Sequence, residues 1–175
     1  MNRRNTLKNL ALAAGGFVSL PAWARNWSLQ DLTTYSSTFT YAEAVLLASV
    51  ADTIIPAGNS IGALTVGVDK FLQKLIDNCY TEDVRVNVKL QLSSMEKIAQ
   101  TKFGKSFDAC DQLQREELLM AFSGSDNKAE QDFFNLMKSE TIRGFNTSKE
   151  VMTRYLNYKI APGHYYGCVD VNANV

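Results

Sequence analysis

The residues able to do chemistry in this chain are few. It has one histidine, His164, and three cysteines, Cys79, Cys110 and Cys168. His164 and Cys168 could form a thiol–imidazole pair or supply two metal ligands; alternatively His164 hydrogen-bonds within a docked tail. A single histidine excludes the paired Glu-x-x-His motifs of a di-iron bundle and a three-histidine zinc site. Glu116 and Glu117 are adjacent, so on a helix they point in different directions and make a weak acid–base pair. No serine sits in a G-x-S-x-G elbow, no glycines form G-x-G-x-x-G, and no cysteines form C-x-x-C. The residues reveal no self-sufficient active site. No catalytic, metal or cofactor-binding residue is expected in this chain.

Cysteine usage depends on compartment, and residues 1–24 address that. Arg3, Arg4, Leu7 and Lys8 precede a mild apolar run from Leu10 to Leu20, which closes on Pro21-Ala22-Trp23-Ala24. A positive start, a short apolar middle and a small-x-small end (Ala22, Ala24) make a cleavable export signal. The paired arginines fit the twin-arginine type, with Thr6 standing where a bulky apolar residue would fit better. The run falls short of the roughly 20 residues a membrane span needs. The expected location is the periplasm, with the membrane touched only peripherally and the twin-arginine translocase as a transient partner. That route carries folded proteins, often with a partner in place.

In an oxidising compartment a bridge between Cys79 and Cys168 would staple the tail to the body. It would close a loop of roughly 90 residues, constraining the unfolded chain by about 4–5 kcal/mol. A bridge to a partner chain and free thiols are the alternatives; Cys110 is expected reduced.

The leader contains three basic residues and no acid, so the rest of the chain has 15 basic against 18 acidic residues, a net of −3. Such a body is a poor nucleic-acid binder and is not strongly drawn to anionic lipid.

Residues 25–39 read as a polar tether and 40–175 as one domain. Thr40-Tyr41-Ala42-Glu43 is a capping box opening a helix that Pro56 stops. Tyr41, Ala44, Val45, Leu47, Ala48, Ala51, Ile54 and Ile55 make it apolar on most sides, hence central. Asp52, its one late charge, reads as a local cap or a buried hydrogen bond to a neighbouring loop. Ala57 to Gly67 is a turn-rich crossing. A second helix carries Val68, Phe71, Leu72, Leu75, Ile76 and Cys79 on one face, with Cys79 directed to the core. A third runs from Thr81-Glu82-Asp83 to Gly104, with Val88, Leu92, Met95, Ile98 and Ala99 inward and Arg85, Lys89, Glu96 and Lys97 on a solvated face. A fourth starts near Asp111 with Leu113, Leu118, Leu119 and Phe122. A fifth spans about Lys128 to Phe145, with Phe133, Phe134, Met137, Thr141 and Phe145 inward. Thr147-x-x-Glu150 opens a last helix. The aromatic, turn-rich segment from Tyr158 to Asp170 follows. The fold class is all-α, a compact bundle of about five or six helices with an ordered C-terminal loop.

The stretch Tyr41 to Pro56, ending Ala51-Asp52-Thr53-Ile54-Ile55-Pro56, resembles the opening helix of the gluconate 2-dehydrogenase subunit 3 family. Val68-Asp69-Lys70-Phe71, Asp77-Asn78-Cys79-Tyr80, Phe133-Phe134, Gly144-Phe145 and Pro162-Gly163…Tyr166-Gly167-Cys168 follow in the family's order, over roughly residues 40–170. The resemblance implies a non-catalytic small subunit of a periplasmic flavin-dependent sugar or sugar-acid dehydrogenase complex. FAD is then expected in the large partner subunit, and a cytochrome c subunit is a further possible partner. The small subunit would escort the flavin subunit through twin-arginine export and stabilise it. His164, Tyr165 and Tyr166 are the candidate partner contacts. The alternatives are a freestanding periplasmic helical binding or scaffold protein, or a small thiol or metal enzyme built on Cys168 and His164.

Overall fold

The computed structural model describes residues 37–159, 161 and 163. The leader residues Arg3, Arg4, Leu7, Lys8, Ala22 and Ala24 lie outside them, as do His164, Tyr165, Tyr166, Cys168 and the C-terminal loop from 164 onward.

Among the described residues five α-helices form the body: α1 Tyr41–Ile54, α2 Val68–Cys79, α3 Glu82–Phe103, α4 Gln112–Ser123 and α5 Lys128–Asn146. A π-helical turn, Val151–Tyr155, follows them, and there is no strand among the described residues. The fold is the all-α bundle read from the sequence. Helices α1 and α5 are its axis, each packing against all the other α-helices.

Local chemistry sets the boundaries. The Thr40 hydroxyl accepts from the Glu43 N–H at 3.3 Å, while the Glu43 carboxylate accepts from the Thr40 N–H at 2.7 Å. That reciprocal cap satisfies two N–H groups the first turn leaves open. Pro56 disfavours helical backbone at Ile55, which is the C-cap of α1. Asp111 and Gln114 form a second capping box at α4. Gly104, at φ 66°, supplies the left-handed residue that closes α3.

One core joins all five helices: Leu47, Val50 and Ala51 of α1, Leu72 and Ile76 of α2, Val88, Leu92 and Met95 of α3, Leu118 and Phe122 of α4, Phe133 and Met137 of α5. The π-helical turn packs on α5 and buries Val151.

Several positions depart from the helical stripes. Tyr41 is 88% exposed and Leu113 77% exposed. Both sit in the first turn of their helices, where no neighbouring helix covers them. Cys79 is exposed rather than core-facing. It is the last residue of α2, and the buried place in that turn belongs to Asp77. Ile98 is partly exposed, and the polar Gln91 is buried in α3, where its amide donates to Asn87. Three of the four residues read as a solvated face of α3 are tied into the fold instead. Arg85 donates to the Asp77 carbonyl at 2.7 Å, Lys89 to the Thr38 carbonyl at 2.6 Å, and Glu96 accepts from the Phe107 N–H at 2.8 Å. The Thr147–Glu150 capping box does not form. Thr147 donates back to the Arg143 carbonyl, Ser148 takes up the Val151 N–H, and Glu150 pairs with Arg154. The backbone at Glu150 is already helical, so it continues the chain's coil instead of facing an N-cap.

Thr141 on α5 is fully buried, and its hydroxyl has no hydrogen-bond partner. Valine has the same shape without the desolvated hydroxyl. Thr141→Val should therefore raise the unfolding free energy by about 1 kcal/mol. An unchanged or lowered urea midpoint at constant m-value would contradict this.

Candidate partner-facing surface

The groups able to react are held in quiet settings. Cys110 is buried, and burial pushes its thiol above the ordinary value, so it stays protonated and unreactive. Tyr80 is also pushed up, first by burial and then by its hydrogen bond to Glu140, at 3.0 Å. Glu116 accepts from Gln112 at 2.7 Å, and Glu117 pairs with Lys102 at 2.6 Å, so the adjacent carboxylates have separate partners on an exposed face. Asp52 binds Arg115 of α4 at 3.1 Å, both largely covered. Its partner is thus a cation on a helix rather than a loop. Next to it the Gln112 amide donates to the Thr53 carbonyl at 3.1 Å. These bonds dock α4 on the end of α1. No group of three or more metal-ligating side chains occurs among the described residues.

Two concave surfaces stand out. A cleft of about 600 Å³ lies between the first turns of α3 and α5. Val84 and Leu136 floor it, with the buried Val88 and Phe133 beneath them; Asp83, Lys128 and Asp132 form a charged rim. Asn87 bridges the two helices by donating to the Ala129 carbonyl at 3.0 Å, and Lys128 pairs with Asp132 at 3.1 Å. A groove of about 280 Å³ runs where α1, α4 and α5 meet. Ile54, Leu119, Met120 and Phe134 line it, with Glu116 and Lys138 at its edge. Met120 is 64% exposed, as are, to similar degrees, Tyr155, Leu156 and Tyr158 at the other end of the described chain. Apolar floors with charged edges suit side chains of another polypeptide. Neither place combines a nucleophile, a base and an oxyanion donor.

Of the site residues expected from sequence, only Cys79 is described. The two grooves were not legible there, because they form where residues far apart in the chain converge: Ile54 with Met120 and Phe134, and Val84 with Ala129. The sequence signal for the second of them is Met120, an apolar residue placed off the α4 stripe.

The geometry defines an all-α body with two apolar-lined grooves among the described residues. The family model described as Gluconate 2-dehydrogenase subunit 3 matches residues 41–163, more than half of the chain. The chain belongs to that family. No curated protein and no solved structure matches it.

Proposed function

We propose that this chain is the non-catalytic small subunit of a flavin-dependent dehydrogenase complex acting on a sugar or sugar acid. It escorts the flavin-bearing subunit through twin-arginine export and stabilises it in the periplasm. The observation that carries this reading is the family match over residues 41–163. Support comes from the paired Arg3-Arg4 leader and from apolar side chains left in reach of a partner, Met120 on α4 and Tyr155, Leu156 and Tyr158 after α5. FAD then belongs to the partner, and a cytochrome c subunit would take its electrons. The tail residues His164, Tyr165 and Tyr166 extend the contact.

Co-purification of the full tagged chain from its own host tests the reading. A large chain with flavin absorption should come down with it, and deleting this chain should leave that flavoprotein in the cytoplasm. A colourless lone protein, with every envelope dehydrogenase correctly placed in the deletion strain, would instead favour a freestanding binding or scaffold protein.

A further inference from the structure

Ahead of α1, Ser37, Thr38 and Phe39 form a short strap laid on the ends of α2 and α3. The Asp77 carboxylate receives it. Ser37 Oγ donates to Oδ2 at 2.8 Å, the Thr38 N–H donates to the same oxygen at 3.1 Å, and Thr38 Oγ1 donates to Oδ1. From α3, Lys89 donates to the Thr38 carbonyl at 2.6 Å and lies over the Phe39 ring, 5.2 Å from its centroid. Phe39 itself is buried in the common core. The Phe39 N–H closes the turn on Ser37 Oγ at 3.1 Å.

Asp77 is an unfavourable residue for its place. It is 8% exposed, where a carboxylate loses its hydration, and it sits in the last turn of α2, where the helix dipole repels negative charge. The strap's three donors offset both effects, and Arg85 satisfies the Asp77 carbonyl at the helix end. A local rule broken at Asp77 is thus repaired by residues some forty positions away.

We propose that Asp77 is the receptor of a fold-dependent anchor for the N-terminal segment. The strap closes only when α2 and α3 are packed, because its acceptor lies on one helix and its clamping cation on the other. Ser37, Thr38 and Phe39, through which the preceding sequence joins α1, are thereby held to a fixed point of the body only in the folded state. This rests on the export reading above: a leader for a route that carries folded proteins is then offered from a body whose α2–α3 pair is in place.

The test uses the full chain in three forms: wild type, Asp77→Asn, and Thr38→Val, which removes one strap donor at an exposed position outside the core. Amide hydrogen exchange is read at Thr38 and Phe39 and, as a reference, at Met137 in α5. In parallel, the exported fraction is measured in cells. Both variants should exchange at residues 38 and 39 about tenfold faster or more, with Met137 unchanged. Their exported fraction should fall by at least about half. Unchanged exchange at 38 and 39 would overturn the anchor. Acceleration shared by Met137 in both variants would also overturn it, reducing Asp77 to a general stability residue. An opened strap with undiminished export would remove its role in export while leaving the leader reading intact. A wild type that is not exported would sink the leader reading itself, and the exchange data would still judge the anchor separately.

Discussion

A Phe133→Ala variant should lose about 3–5 kcal/mol of unfolding free energy, the range for truncating a fully buried aromatic. Phe133 has no exposed surface and lies on α5, one of the two axial helices. Its ring meets Phe122 of α4 edge-to-face, centroids 6.0 Å apart at 61°, a geometry worth somewhat more than area alone. It also lies directly beneath the α3–α5 cleft, so truncation joins the new void to that cleft and lets water reach the core. Against a domain stability of about 5–15 kcal/mol this is a large share, and the variant should unfold at a markedly lower urea concentration. Phe133→Leu keeps most of the volume and should cost less than half as much. Equal effects from the two substitutions, or a loss under about 1 kcal/mol for alanine, would mean that α4 and α5 do not meet through this ring. If the chain stabilises a partner, the alanine variant should also lower the partner's abundance.

How far the sequence could be read depended on whether a feature was local. The Thr40–Glu43 box, the stop at Pro56 and the left-handed Gly104 rest on contacts within one helical turn, and those places in the chain carry their own signals. The stripes through Leu92 and Met95, or Phe133 and Met137, likewise report burial through their period. Asp77 shows the opposite case. Nothing near it predicts a buried acid at a helix end, because its partners Ser37 and Thr38 are distant and read as a polar tether. Arg85, Lys89 and Glu96 look like solvent-facing charges for the same reason, since each bonds a backbone group of a different segment. Gly144 lies inside α5, which ends at Asn146, one residue beyond the expected Phe145. A Cβ there would stand 2.5 Å from the Phe71 ring, over which the Arg143 guanidinium also lies, so the glycine leaves the room that Phe71 of α2 needs against α5. Polar residues of the candidate surfaces were legible as types and not as partners, because pairing is a property of the packed helices.

Gly62→Ala should cost about 2–4 kcal/mol, for a reason unlike a helical glycine's. Gly62 lies in the crossing between α1 and α2, and its φ is not in the left-handed region. The constraint is space. A Cβ at this position would stand 2.5 Å from the Ala57 nitrogen, 2.8 Å from the Ala57 Cα and 2.8 Å from the Pro56 carbonyl carbon. All three are backbone atoms, so no side chain can turn aside to make room. The crossing folds back on itself here, held by the Ala63 N–H donating to the Ile55 carbonyl at 2.9 Å and by the Gly58 N–H donating to the Ser60 carbonyl at 3.3 Å. A methyl group at Gly62 would push these segments apart, break the bond to Ile55 and lift the fully buried Ala63 from the core. The disturbance would then reach Ile54 at the edge of the α1–α4–α5 groove. Gly58 has open space where its Cβ would stand, so Gly58→Ala in the same loop is the matched control and should change stability by less than about 0.5 kcal/mol. Urea unfolding of the two variants, with the amide exchange of Ala63 as a local reading, separates close approach from a general loop effect. Equal stability for the pair would show that the crossing has room to spare at Gly62.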